Sequence, residues 1–447
     1  MLKKYYSRII QCTLAGSLLL TACSKQLDIK PESAVSPDQI NAGNIQFFLN
    51  SLYRTTLSQS SQRDDYFIND LRGGNYTWTA LSGNNSSYGT LITGNSVDDG
   101  SSFSSSVWKN GYSNIYSANN VISNCDKLGA DGSAIKVIRA EAMYLRAYIY
   151  YQLVTTFGGV PLITTNTTDN LPRNTDKEVW AQIIKDLDEA IAGARAFKDA
   201  GYKQVSKEAA QALKARALLA TGDKTGAATL AQQVINTPGL SLDADYGGIF
   251  RTPATSKEVL FAFANLKSES NLRLSSLFWP YGTTWAGSYF VQPSEEVLKN
   301  LYTKDDVRRT VNIDTIRNTD GTFNVIVSKY WDVQPLVISR LAEMYLISAE
   351  GSPVSQGITF LNALRTKRGV PAYKESDFNG EGAYLDAILA ERRRELFSEG
   401  FLFFDLVRTG KALSLPNVKN NKNYYVLPIP GDQIRLSKGV LKQNEGY

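Results

Sequence analysis

The chain has 447 residues, with 48 Lys and Arg against 43 Asp and Glu, three cysteines and no histidine. The lack of histidine excludes His-based catalytic triads, the commonest general base and the usual Cys/His zinc sites. The net charge of +5 gives no basic footprint for nucleic acid, the more so if the basic first residues are removed, as the next features predict.

Lys3, Lys4 and Arg8 begin the chain, and an apolar stretch follows from Leu14 to Leu20. That stretch is too short to span a bilayer, which takes roughly 20 apolar residues, and fits a secretory signal core. Leu20-Thr21-Ala22-Cys23 then predicts cleavage ahead of Cys23 and lipidation of its thiol, so the chain is anchored rather than secreted. Removal of residues 1–22 takes away three basic groups and leaves 45 against 43, a charge of +2. It also takes Cys12, so Cys125 is the one thiol beyond the anchor and no intramolecular disulfide is expected.

Residues 23–40 read as a tether, with turn chemistry at Lys30-Pro31-Glu32-Ser33 and Ser36-Pro37-Asp38. Helical periodicity starts near Asn44. Residues 73–106, rich in Gly, Ser and Asn, predict a long surface loop carrying Tyr76, Trp78 and Tyr88. Helices return over Val107–Asn124 and over Ala134–Phe157, the longest helical pattern, which Gly158-Gly159 and Pro161 terminate. Asp176–Ala194, Ser206–Ala220 (capped by Ser206) and Gly226–Asn236 follow, with small residues at Ala210, Ala217, Ala227 and Ala231 that let helices approach. Their helix–turn–helix pattern is similar to tetratricopeptide repeats. A further pair runs over Leu336–Ala349 and Gln356–Arg368. Residues 240–334 are less helical, with a short strand at Val259–Phe263 and an aromatic, Gly/Ser-rich segment from Phe278 to Tyr289. A last helix, about Gly382–Ser398, precedes a largely irregular carboxyl terminus.

Four blocks, in order, resemble the SusD/RagB family of Bacteroidetes outer-membrane lipoproteins. They are Arg139-Ala140-Glu141-Ala142 through to Phe157-Gly158-Gly159-Val160-Pro161-Leu162; Arg340-Leu341-Ala342-Glu343-Met344-Tyr345-Leu346 with Asn362, Arg365 and Arg368-Gly369-Val370-Pro371; Glu391-Arg392-Arg393-Arg394-Glu395-Leu396-Phe397-Ser398-Glu399-Gly400 with Phe403-Phe404-Asp405; and Leu427-Pro428-Ile429-Pro430 with Lys442-Gln443-Asn444-Glu445-Gly446-Tyr447. Two departures occur: a shortened turn at Gly351-Ser352-Pro353, and Glu445 where the family commonly has Pro. The resemblance implies a mostly α fold of tetratricopeptide-like helix pairs packed on a loop-rich second half with few short strands, one domain over 41–447. It implies variable ligand-facing segments at about 66–106 and 264–334, and a SusC-like TonB-dependent barrel as partner. It also implies an outer-membrane address facing the exterior, and binding without catalysis or cofactor.

For the site, aromatic rings that stack on sugar faces and amides or charges that bond hydroxyls are the sought chemistry. Trp78 with Asn75, Arg72 and Asp70, and Trp279, Tyr281, Trp285 and Tyr289, are the candidates. The cargo they imply is an oligosaccharide, with a peptide as the alternative. The Glu391–Glu399 block reads as a scaffold of helix-spaced ion pairs that also hold the carboxyl terminus. Trp108 and Trp180 read as core, and Trp331 is left open. Asp98-Asp99 and Asp305-Asp306 lack EF-hand spacing and read as solvated turns.

Overall fold

The computed structural model describes residues 40–58, 61–79, 86–129, 133–268, 272–283, 285, 287–318 and 320–447. The signal segment, the Cys23 anchor and the tether up to residue 39 lie outside the described residues. Residues 45–447 form one compact unit.

That unit is mostly helical. In chain order it contains α1 (Ile45–Ser58), α2 (Ser61–Gly73), β1 (Tyr76–Trp78), α3 (Ser86–Thr93), α4 (Ser102–Leu128), α5 (Ser133–Phe157), α6 (Asp176–Gly193), α7 (Lys207–Ala220) and α8 (Lys224–Ile235). Then come β2 (Val259–Phe263), β3 (Val291–Pro293), β4 (Ile313–Arg317), β5 (Phe323–Val327), β6 (Leu336–Arg340), α9 (Leu341–Gly351), α10 (Val354–Lys367), α11 (Gly380–Glu395), α12 (Leu402–Arg408) and α13 (Gly431–Leu436). Shorter helical turns join them.

From α4 to α10 each helix packs on the next, which is the stacked-pair arrangement the repeats predicted. Local chemistry sets the ends. Ser101, Ser206 and Asp223 side chains accept the amide N–H three residues on, and Thr175 forms a capping box with Glu178. Gly158 ends α5 at φ +73°, and a Cβ on Gly159 would lie 2.2 Å from the Asn174 carbonyl oxygen, so both glycines are required. Ala210, Ala217, Ala227 and Ala231 are fully buried, so these methyl side chains set the close helix spacing. At the shortened turn, a Cβ on Gly351 would lie 2.1 Å from the Lys224 carbonyl oxygen: α8 and α9 touch backbone to backbone there.

Several expectations are corrected. Residues 73–106 are not one loop. They hold β1, α3 and the first turn of α4, whose Ser101 cap starts it five residues earlier than the apolar stripe suggests. At 27 residues α4 is longer than α5 at 25. The stretch 336–340 is a strand, not a helix start; all five of its residues are buried beside the equally buried β2, and burial on both faces removes the alternation that would have marked it. Asp306 is buried and bound to Arg308, so it is no solvated turn; Asp98, Asp99 and Asp305 are exposed as expected. Trp108 is core. Trp180 is half-buried, against Tyr151 and Phe404.

At the centre, five basic side chains meet five carboxylates, all buried. Arg308 bonds Asp306, Glu391 (2.7 Å) and Glu395 (2.9 Å); Arg340 bonds Glu258 (2.8 Å), Glu395 (2.6 Å) and Glu399 (2.8 Å). Arg368 bonds Glu258 and Glu395, Arg365 bonds Glu391, and Lys329 bonds Glu399. Burial alone would raise the Glu395 carboxyl, but Arg368, Arg340 and Arg308 outweigh it and hold it well below the usual carboxylate range. The Glu391–Glu399 block is thus a scaffold, as expected, but its partners differ from those expected. Only the Arg394–Glu391 pair has helical spacing. The rest clamp α11 to β6, α10 and residues 258, 296, 306–308 and 329, and on the carboxyl-terminal side only to α12, through Arg392 and Asp405 (2.8 Å). The terminus is held instead by Asn444, which donates to the Phe157 and Leu427 carbonyls, and by Arg173, which donates to Asn444.

Candidate ligand cleft

Two stretches more than 200 residues apart in the chain meet in a two-stranded antiparallel ribbon. β1 pairs with β3 in the register Tyr76↔Pro293, Thr77↔Gln292 and Trp78↔Val291. Thr79 extends it, its amide donating to Phe290 O (3.0 Å) and its hydroxyl to Tyr289 O. The two segments expected to face ligand are therefore joined by backbone pairing.

Beyond the ribbon, residues 287–289 fold back against residues 276–280. Tyr289 N donates to Trp279 O (3.2 Å) and Ser288 N to Ser276 O (2.8 Å). Gly287 permits the fold, since a Cβ there would lie 2.6 Å from Trp279 O. Tyr289 takes φ +46°, a strained value for a bulky residue that persists only where surroundings over-determine it. Here they do: its hydroxyl lies 2.8 Å from Gln292 Oε1 and 2.9 Å from Val325 O, and its carbonyl takes the Thr79 hydroxyl. Burial pushes its phenol up to about 12.

This loop and the β4–β5 hairpin enclose a cleft of about 530 Å3, lined on one side by Trp279, Pro280, Tyr281, Gly282, Thr283, Ser288 and Tyr289 and on the other by Ile316, Arg317, Asn318, Asp320 and Asn324. Clefts of roughly 300–1,000 Å3 are the usual size of small-molecule sites. The Trp279 indole is fixed by its N–H, which donates to Tyr330 O at 2.6 Å. Tyr330 in turn donates to Ser398 O at 2.6 Å, beside the central ion network. Tyr281 is 92% exposed, an aromatic ring held out by Pro280 and Gly282 with no core to fill.

The eight expected site residues divide into three groups. Trp279, Tyr281 and Tyr289 line the cleft. Trp78, 38% exposed, lies on the ribbon with its ring against Gly89, and Trp285 is half-buried in the same loop as Trp279; neither lines the cleft. Asp70, Arg72 and Asn75 are a correction. All three are buried and point inward. Asp70 accepts from Gly400 N (2.5 Å) and Asn75 Nδ2 (2.6 Å), and Asn75 accepts from Arg393. Burial lifts the Asp70 carboxyl to about 7 against those bonds. Arg72 donates to the Tyr424 and Tyr425 carbonyls and stacks over Phe403; burial lowers its guanidinium to about 10. These groups spend their polar atoms on the fold. Trp331, left open by the sequence, is half-buried with Arg251 over its ring.

The hairpin wall was missed. Its signal was present, Asp320-Gly321 between two β-rich runs, with Gly321 at φ +86°. Among the described residues no cluster of three or more metal-ligating side chains occurs, and no helix is long and apolar enough to cross a membrane.

A family model described as "SusD-like: starch-binding associating with outer membrane" matches residues 25–219, and one described as "SusD family" matches 262–419. SusD-like protein P2 of Formosa agariphila is 25% identical over 78% of this chain and 82% of its own, and SusD-like protein P38 of the same organism is 24% identical over 93% of each. Among solved structures, surface glycan-binding protein A from Bacteroides fluxus superposes with a TM-score of 0.78 at 22% identity, covering 91% of this chain and 100% of that one. A laminarin-binding SusD-like protein gives 0.76 at 22%, with the same coverage. Surface glycan-binding protein A from Bacteroides thetaiotaomicron, in complex with laminarihexaose, gives 0.77 at 20%, covering 90% of this chain and 99% of its own.

Proposed function

Because the chain belongs to the SusD/RagB family, we propose that it binds a nutrient oligosaccharide at the cell surface and delivers it to a SusC-like TonB-dependent transporter. The observation that carries the binding half is the cleft, where the Trp279 and Tyr281 rings stand across from a polar wall of Arg317, Asn318, Asp320 and Asn324. A sugar ring has an apolar face and a polar edge. Rings with few rotamers stack on the face at low entropic cost, while amides and hydroxyls take the edge.

The glycan-binding relatives support an oligosaccharide as cargo, and their family description supports an outer-membrane setting. Cys23 as a lipid anchor, an exterior orientation and the transporter as partner are parts of the same reading, carried by the leader sequence and the family. Capture rather than hydrolysis is the reading proposed for the cleft, whose lining among the described residues holds one carboxylate, Asp320, where glycosidases generally place a pair across the bond they break.

Calorimetric titration of the purified protein against a panel of polysaccharides and a peptide digest tests this. Binding of a glycan that Trp279→Ala and Tyr281→Ala abolish supports the reading. Binding of peptides alone refutes it in favour of a peptide receptor. Co-purification of a TonB-dependent barrel with the tagged protein tests the partner.

A further inference from the structure

The β4–β5 hairpin carries one charged group whose bonding capacity is unspent. Arg317 ends β4 and Phe323 begins β5, and the two are direct cross-strand partners, so their side chains leave the same face of the hairpin. Phe323 is 67% exposed. Arg317 is exposed and lines the cleft, and among the described residues it makes no ion pair.

Its polar neighbours bond within the hairpin rather than to it. The Asp320 carboxylate accepts from Thr322 N (2.9 Å) and Thr322 Oγ1 (2.6 Å), and Asp314 accepts from Thr315 N (2.7 Å). Asn318 Nδ2 donates to Thr322 Oγ1 (2.8 Å) and Asn324 Nδ2 to Asn318 Oδ1 (2.9 Å). The hairpin acids thus hold bonds to their own backbone and side chains, while Arg317, at the rim of the cleft it helps to line, forms no ion pair with them among the described residues.

Resting on the glycan reading above, we infer that the cargo is an anionic oligosaccharide whose acidic substituent pairs with Arg317. An arginine fork matches a carboxylate with two parallel N–H donors, a geometry that a neutral hydroxyl does not complete. A sugar stacked on Trp279 or Tyr281 presents its ring substituents outward at the edge, toward the opposite wall where Arg317 stands. Uronate carboxylates and sulfate esters share this chemistry; the planar fork favours the carboxylate.

The test is titration of the purified protein with a neutral glucan hexaose, an oligouronate and a sulfated oligosaccharide of equal length, at low and high salt. The acidic ligand is expected to bind at least about fivefold tighter than the neutral one, the scale of one partly exposed ion pair, with the advantage shrinking as salt rises. Arg317→Gln, at an exposed position, should erase that advantage, and Arg317→Lys should restore part of it. A larger gain for the oligouronate assigns the carboxylate, and one for the sulfated chain assigns the sulfate. Equal affinity for neutral and acidic glycans, or a preference that survives Arg317→Gln, overturns the inference and leaves glycan capture standing. Binding of an acidic peptide with no glycan bound at all overturns both.

Discussion

Replacing Glu395 by Gln keeps the side chain's size and removes one negative charge from the centre of the fold. Glu395 is fully buried and bonds three guanidiniums, those of Arg308, Arg340 and Arg368. The five basic groups around it are balanced by five carboxylates, so the substitution leaves one positive charge unmatched in a dry site. Breaking a buried ion pair from one side costs about 3–5 kcal/mol. Unfolding entropy near 2.1 cal/mol/K per residue gives about 0.85 kcal/mol/K for a body of about 400 residues, so the midpoint should fall by about 4–6 °C. Thermal melts followed by circular dichroism read this directly. Glu295→Gln is the control, because its pair with Lys299 is exposed on both sides and should change stability by less than about 1 kcal/mol. A Glu395→Gln midpoint within about 1 °C of the parent, level with the control, would refute the argument that this network is held by charge balance.

Three other outcomes follow from the same structure. Gly351→Ala should destabilise by about 1–3 kcal/mol through backbone collision with Lys224, read as a lower denaturation midpoint with glycan binding unchanged. Tyr281→Ala should weaken binding while stability stays within about 0.5 kcal/mol, because its ring touches no core; Trp279→Ala should lower both, since it also loses the bond to Tyr330 O. With Glu395, Glu399 and Asp405 all held below the usual carboxylate range, their stabilisation is complete above that range and is lost as pH falls through their depressed folded values, so melts should drop steeply below about pH 4.5. Asp70 has the opposite sign: its folded value is raised, so its contribution is greatest below its unfolded value and declines as pH rises toward about 7. Asp70→Asn should flatten the melting profile across that window.

The helical half was legible because its signals are local. Ser206, Asp223 and the Gly158-Gly159 stop each act within a few residues, and the stripe of Trp108, Ile115, Ala118 and Ile122 has one period and one buried face. Strand β6 was not legible, since burial on both faces erases alternation. The site was half legible. An aromatic run interrupted by Gly and Ser pointed to Trp279 and Tyr281, both of which line the cleft. Nearness in sequence misled for Asp70, Arg72 and Asn75, because direction rather than distance along the chain decides whether a polar group meets ligand or backbone. The hairpin wall needed a pairing of 313–317 with 323–327 that only its Asp-Gly turn announced.

The polar groups at the hairpin tip bond one another and nothing beneath them. Asn318, Asp320, Thr322 and Asn324 form a closed set, while the opposite wall is wired through Tyr330 to the centre of the molecule. The cleft therefore has one wall that the fold dictates and one that behaves as an exchangeable cassette. Substitutions at the hairpin tip should therefore reshape that wall while leaving the Trp279–Tyr330–Ser398 chain of bonds intact.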